Sequence, residues 1–442
     1  MSPNDHEGLR RLLKYLKLNA PAAIPEISRE LNDISTAQGI QEAYNYLLRS
    51  EVIFDLRKPS LGVYDQAFHF IGGAQKYGLT LISALQEQFD ITIIANHEVS
   101  HKDFLSWYSL DLSKCRIKTI KLPYFEERRA LHLDPALIPK GTKNPFHLIS
   151  QESGNYDIFV NNSMNEMVYP LSNISVLICH FPERRPKTYF YADRYSYVIS
   201  NSRYTAEWIE KIWKLSPPGH IYPPVDMEPG EGELPKKKNI LSVARFEVEG
   251  TKRQREMIEA FLTLNQVWPE IARSWKFILV GGSNPDNPYL ARLEKLIRNN
   301  PGQNIDLKVN IPVEELKRLY RESTLFWHLC GLKHEDPSEI EHFGMTTVEA
   351  MQNKMVPLVF DGGGLKEIVD HGVNGFRVKS TAELLEYSMR LFRDKNLVQS
   401  LSESAQKKAQ VFTRARFEER VKSLFADILK TYRSVEETYP FY

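Results

Sequence analysis

The chain has 442 residues, more than one hydrophobic core usually serves, so two domains are expected. Its 57 Lys and Arg nearly balance 56 Asp and Glu, and a formal net charge of +1 excludes a whole-molecule field that would steer it onto nucleic acid or an anionic membrane. Three cysteines, Cys115, Cys179 and Cys330, are odd in number and far apart, which argues against a disulfide framework and for a reducing, cytoplasmic setting.

The opening "MSPNDHEGLRRLL" lacks an apolar signal core. No window approaches the roughly 20 apolar residues of a membrane span, so at most peripheral membrane contact is expected. Residues 1–50 read as a helical N-terminal extension, with Leu9, Leu12, Leu13 and Leu16 at helical spacing. From Val52 short apolar runs alternate with amphipathic stretches: "VIFDL", "ITIIA", "YDIFV", "SVLIC" and "YVIS". Strands this apolar, separated by helices, predict a parallel sheet covered on both faces, the doubly wound α/β class. The stretch "SPPGHIYPPVDMEPGEGELPKKK" (216–238) mixes prolines, glycines and charges without periodicity and reads as a linker. Beyond it the rhythm restarts with "NILSVAR", "KFILVGG", "LFWHLC", "VPLVF" and "GFRV". Two α/β domains, 51–222 and 223–412, are therefore expected, followed by a closing helix over 413–442 whose apolar stripe is Phe417, Val421, Leu424, Phe425 and Ile428.

Four places could carry chemistry. Gly72 and Gly73 stand directly ahead of a helix, where a backbone turn can bring N–H groups to a phosphate; a ligand-free tight turn is the other reading. Arg245 ends a strand and Lys252 precedes an amphipathic helix, the position at which open α/β sheets bind ligands, and two cations there suit a diphosphate; solvated loop ends are the alternative. His180 closes "SVLICHF", as a structural hydrogen-bonder or as a catalyst. Finally, Glu341 lies in a loop and Glu349, eight residues on, in the first turns of a helix. Two acceptor-only groups beside free N–H donors suit a ligand bearing both hydroxyls and phosphate. The run "DGGGLKEI" adds Gly362, Gly363, Gly364 and Glu367 as a second glycine loop.

The stretch "EHFGMTTVEAMQNKMVPLVFDGGGLKEIVDHGVNGF" resembles the Glu-x7-Glu signature of the retaining glycosyltransferases of family 4. "GGAQ", "VISNSRYTAEWI", "IYPPVD", "SVARF" with "KRQREMIEAF", and "FILVGG" with Gly281 extend the resemblance over roughly residues 52 to 430 in the family's order. It implies a GT-B fold: an acceptor domain, a nucleotide-sugar-binding domain, a cleft between them and a last helix crossing back to the first domain. It implies transfer of sugar from a UDP- or GDP-sugar to a glycan, lipid-linked or small-molecule acceptor, with anomeric configuration kept. Glu349 would hold the ribose hydroxyls and Glu341 the donor sugar. Amides of Phe343, Gly344, Met345 and Thr346 would reach sugar and phosphates, with Gly281 in the donor-binding set. Arg245 and Lys252, with Arg253 a possible sharer of the role, would neutralise the diphosphate, Gly72 and Gly73 would approach it, and His180 would lie by the donor sugar. No Asp-x-Asp occurs, so neither a metal site nor another cofactor is expected. The rival readings are a phosphorylase-like or nucleotide-sugar-processing enzyme of this fold, or a catalytically weak scaffold subunit. A nucleic-acid partner is not expected, because no basic stripe appears.

Overall fold

The computed structural model describes residues 58–128, 143–163, 166–183, 189–227 and 234–438. The expected extension 1–50, the run "VIFDL" and residues 129–142 lie outside these. The chain divides into two compact units, Met1–Ser60 with Glu87–Asp90, and Leu61–Gln86 with Ile91–Tyr442. Within the first, the Asp90 N–H donates to the Pro59 carbonyl at 3.0 Å. The second carries two sheets.

The first sheet contains β1 (Ser60–Asp65), β2 (Asp90–Ala95), β3 (Arg116–Thr119), β4 (Ile158–Asn161), β5 (Ile174–Cys179) and β6 (Tyr197–Ser200), in the order β3-β2-β1-β4-β5-β6. The second contains β7 (Lys237–Val243), β8 (Lys276–Gly281), β9 (Ile305–Val309), β10 (Ser323–His328), β11 (Val356–Phe360) and β12 (Phe376–Val378), in the order β12-β11-β10-β7-β8-β9. Every recorded pairing is parallel. Both orders run 3-2-1-4-5-6 in their own numbering, so each sheet reverses direction once, between β1 and β4 and between β7 and β10. Loops leaving the carboxyl ends of strands diverge there and open a crevice.

The longer helices are α1 (Gly73–Leu85), α2 (His101–Tyr108), α3 (Arg203–Trp213), α4 (Gln254–Val267), α5 (Pro288–Arg298), α6 (Val313–Glu322), α7 (Met345–Gln352), α8 (Thr381–Arg393), α9 (Lys395–Ala409) and α10 (Arg414–Thr438). Central strands such as β4 and β5 are buried along their whole length, as helices on both faces require. Around the second sheet Phe277 packs Phe261 and Trp327 with ring centroids 5.6 and 5.2 Å away, all three fully buried. Each such side chain contributes about 1.5–3 kcal/mol. The last helix packs on α1: Phe417 meets Tyr77 edge-on at 4.8 Å, and Arg414 donates to Ser83 Oγ at 3.3 Å.

Gly281 ends β8 in contact with the loop that leaves β7. A Cβ there would sit 2.0 Å from the Ala244 carbonyl oxygen, next to Arg245. Gly281→Ala is therefore expected to lower unfolding stability by about 1–3 kcal/mol, as overpacking does. Denaturant unfolding checks this, and an unchanged midpoint contradicts it.

Candidate active site

One cavity of about 630 Å³ opens at the carboxyl ends of both sheets. From the first sheet's half it is lined by Gly72, Gly73, Gln75, His180 and Asn201; from the second by Arg245, Lys252, His328, Cys330, Glu341 and Phe343–Thr346. Gly281 and Glu349 do not line it.

Two helices begin at this cavity without a side-chain cap. Gly72 precedes α1 and Gly344, at φ 107°, precedes α7, and neither first turn carries an acidic residue. In contrast Ser100, Ser202, Asn287, Ser380 and Asp394 cap α2, α3, α5, α8 and α9 with side-chain oxygens. Uncapped first-turn N–H groups with the positive dipole end behind them favour an anion. Gly72 is already engaged, since its N–H donates to Tyr108 Oη at 2.8 Å.

The cations differ in setting. Lys252 Nζ lies 3.0 Å from Glu341 Oε2 and 3.5 Å from Cys330 Sγ, with its side chain 21% exposed. Burial works against its charge, but Glu341, Cys330 and Glu247 together outweigh this and raise its pKa. Arg245 is 74% exposed and pairs with Glu247 at 3.0 Å, so its guanidinium stands at the solvent edge. Arg253, the possible sharer of this role, is corrected: it pairs with Glu256 at 2.9 Å and lines a separate cavity.

Glu341 accepts from Lys252 and also meets His328 Nε2 at 3.0 Å. Burial alone would raise its pKa, yet Lys252 and His328 hold it well below the usual carboxylate range. Its backbone is fixed by the second glycine loop. The Gly364 N–H donates to the Glu341 carbonyl at 2.9 Å, and a Cβ on Gly363 would lie 2.1 Å from that same oxygen. This second glycine loop therefore shapes Glu341 and does not itself line the cavity. Glu367 instead caps α3, accepting from the Arg203 and Tyr204 N–H groups at 3.1 and 2.9 Å and from Tyr222 Oη at 2.8 Å.

Glu349 accepts from Tyr320 Oη at 2.8 Å. Burial raises its pKa, against the field of Lys76, which itself pairs with Asp226.

His180 is 9% exposed, and its Nε2 has no hydrogen-bond partner. Burial, with His342 adding to it, lowers its pKa to about 4, so the imidazole is neutral near pH 7. His342, whose ring stacks on Phe181 at 4.1 Å, is likewise lowered to about 4, chiefly by burial. An unfolded imidazole titrates near 6.5. Between about 6.5 and 4 the unfolded chain therefore binds more protons, and stability falls as pH drops through that window. Asp65, 1% exposed at the end of β1, runs the other way: burial raises its carboxyl to about 6, so its proton favours the folded state between about 6 and its ordinary 3.8. Of these three groups, two imidazoles against one carboxyl contribute a net loss of stability toward pH 4. His180→Gln is expected to flatten that slope in unfolding titrations run at a series of pH values, and an unchanged slope contradicts the neutral burial of His180.

Sequence reasoning missed His328, Cys330 and His342. His328 and Cys330 stand two apart at the end of an apolar strand run, the same strand-end signal that singled out Arg245. Burial pushes the Cys330 thiol up to about 12, with Glu341 adding to the rise and Lys252 opposing it.

Residues 227–408 match the family described as glycosyl transferases group 1. The mouse "GDP-Man:Man(3)GlcNAc(2)-PP-Dol alpha-1,2-mannosyltransferase" is 29% identical over 201 residues, covering 41% of this chain and 38% of that protein. The "Alpha-1,3/1,6-mannosyltransferase alg2" of Schizosaccharomyces pombe is 28% identical over 216 residues, 42% of this chain and 40% of that protein. The chain thus spans well under half the length of these relatives. Among solved structures, Anabaena Alr3699/HepE in complex with UDP and glucose superposes with a TM-score of 0.60 at 17% identity, covering 84% of this chain and all (100%) of that one. Sucrose-phosphate synthase of Thermosynechococcus elongatus gives 0.60 at 16% identity, covering 85% and 100%. The fold is GT-B, two Rossmann-like domains, and the match to glycosyl transferases group 1 falls in the second.

Proposed function

We propose that this protein is a retaining glycosyltransferase of the family 4 type that moves a sugar from a nucleoside-diphosphate sugar to an acceptor hydroxyl without a metal ion. The observation that carries this reading is the convergence of Lys252, Arg245 and the uncapped first turns of α1 and α7 on one cavity beside an ionised Glu341. Departure of a nucleoside diphosphate develops negative charge on phosphate oxygens, and fixed cations with oriented N–H groups stabilise it where it develops. In this reading the diphosphate lies between Lys252, Arg245 and the amides of Phe343–Thr346. Glu341 accepts from hydroxyls of the donor sugar, while the nucleoside extends past the lining of the cavity toward Glu349, whose carboxylate accepts from the ribose hydroxyls. His180, neutral and with Nε2 unengaged, hydrogen-bonds at the sugar rather than transferring a proton as an acid. Attack on the face from which the diphosphate leaves lets the departing phosphate take the acceptor proton, so no separate base is needed.

The donor classes follow the printed names of relatives: a GDP-Man mannosyltransferase in sequence and a complex with UDP and glucose in structure. The acceptor is a glycan, a lipid-linked glycan or a small molecule, with peripheral membrane contact where the acceptor is lipid-linked; among the described residues no helix is long and apolar enough to cross a membrane. A scaffold subunit has no use for the four charged groups Arg245, Lys252, Glu341 and Glu349. Thermal shift against UDP, GDP and ADP tests the reading: the matching diphosphate at about 100 times its dissociation constant is expected to stabilise by about 2.7 kcal/mol. Lack of any shift with all three contradicts it. Transfer is further expected to survive chelation by EDTA, because Lys252 already supplies a cation beside Glu341, and a strict need for added Mg²⁺ or Mn²⁺ contradicts that part.

A further inference from the structure

We propose that His328, Cys330 and Glu341 form a binding site for a soft divalent ion of the Zn²⁺ class, which occupies the cavity wall in place of the Lys252 ammonium and so excludes the donor. An imidazole nitrogen, a thiol sulfur and a carboxylate oxygen here all lie within 4.8 Å of one another. A three-ligand set of N, S and O with an open fourth position suits Zn²⁺ or Co²⁺ and not Mg²⁺ or Ca²⁺, which prefer oxygen.

The geometry is close to what such an ion needs. With bonds of about 2.0–2.3 Å, the edges of a tetrahedron are roughly 3.3–3.8 Å. His328 Nε2 and Glu341 Oε2 are 3.0 Å apart, just inside that edge, and the Cys330 sulfur lies within 4.8 Å of both ligand atoms. His328 and Cys330 are each 2% exposed, so their positions are fixed by the core, and His328 Nδ1 is a buried atom without a hydrogen-bond partner. All three residues line the cavity, which leaves the fourth position to water; with Glu341 taken as a ligand and Lys252 displaced, the groups that would hold the donor are no longer available to it.

The present occupant is the ammonium of Lys252, in contact with Glu341 and Cys330. A dication entering the site displaces this flexible side chain. The metal–sulfur bond forms as the thiol releases its proton to solvent, so affinity rises with pH. Exclusion of the donor rests on the function proposed above; metal binding itself does not.

Titration of the full chain with Co²⁺, followed by absorption, separates the two. We expect one Co²⁺ per chain, with a thiolate charge-transfer band and the intense visible bands of a tetrahedral ion. Cys330→Ser should abolish the charge-transfer band, and His328→Gln should weaken binding by on the order of 10–100-fold or more, given that even outer partners of metal ligands cost that much. Both variants should keep the melting temperature of the metal-free parent within a few degrees. Lys252→Met should tighten Co²⁺ by removing the competing charge. Absence of the band, or its persistence in Cys330→Ser, overturns the site, whereas nucleotide binding stays measurable by thermal shift in either case. A Cys330-dependent band that UDP and GDP fail to weaken upholds the metal site and overturns the placement of the donor.

Discussion

Lys252→Met is expected to lower the turnover of sugar transfer by about 10²–10³-fold while the chain stays folded. The ammonium is the most enclosed cation of the cavity, 21% exposed against 74% for Arg245, and it acts where surrounding protein keeps solvent screening low. Charge develops on the leaving diphosphate mainly in the transition state, so the loss falls on kcat more than on KM, at the magnitude seen when one preorganised donor is removed. Arg245→Met, at the solvent edge, should cost much less. Single-turnover kinetics with a matched donor reads both, and equal losses in the two variants contradict the ranking.

Glu341→Gln is the second large effect, and it reaches stability as well as rate. The substitution leaves Lys252 charged and without its partner in a mostly buried place, and removing one member of such a pair costs about 3–5 kcal/mol. It also removes the acceptor proposed for the donor-sugar hydroxyls, so transfer should fall in step. The double variant Lys252→Met with Glu341→Gln removes both charges. It should be as inactive as either single variant yet more stable than Glu341→Gln alone, a coupling that a double-mutant cycle reads directly. Strict additivity of the two stability changes contradicts the pairing as the source of the cost.

Much of the fold was legible because central parallel strands are apolar on both faces. "ITIIA", "YDIFV", "SVLIC", "YVIS" and the five later runs all mark strands of the two sheets. What escaped were β3 "RIKT" and β9 "IDLKV", edge strands half open to solvent that carry charges at alternate positions, so neither shows an apolar run. The strand "SLGVYD" also escaped, masked by the stronger apolar run "VIFDL" just before it and interrupted by Gly62. At the site, the local signals were a glycine pair ahead of a helix, a cation at a strand end and a carboxylate before a signature helix. Arg245, Lys252, Glu341, Gly72 and Gly73 line one cavity for that reason. The rest depends on tertiary approach. The glycines 362–364 read as a second glycine loop, but their closeness to the Glu341 backbone, and the claim of α3 on Glu367, arise only when distant segments meet. The same holds for Glu349, whose neighbours Tyr320 and Lys76 lie far away in the chain.

The most direct test of the central claim is a crystal structure with the nucleoside diphosphate that gives the largest thermal shift. The account predicts its phosphates within hydrogen-bond reach of Lys252 Nζ and of the amide groups at the start of α7, with the sugar end toward Glu341. A diphosphate bound away from that cavity, or one lying in it with Lys252 still turned wholly onto Glu341 and Cys330, would contradict it.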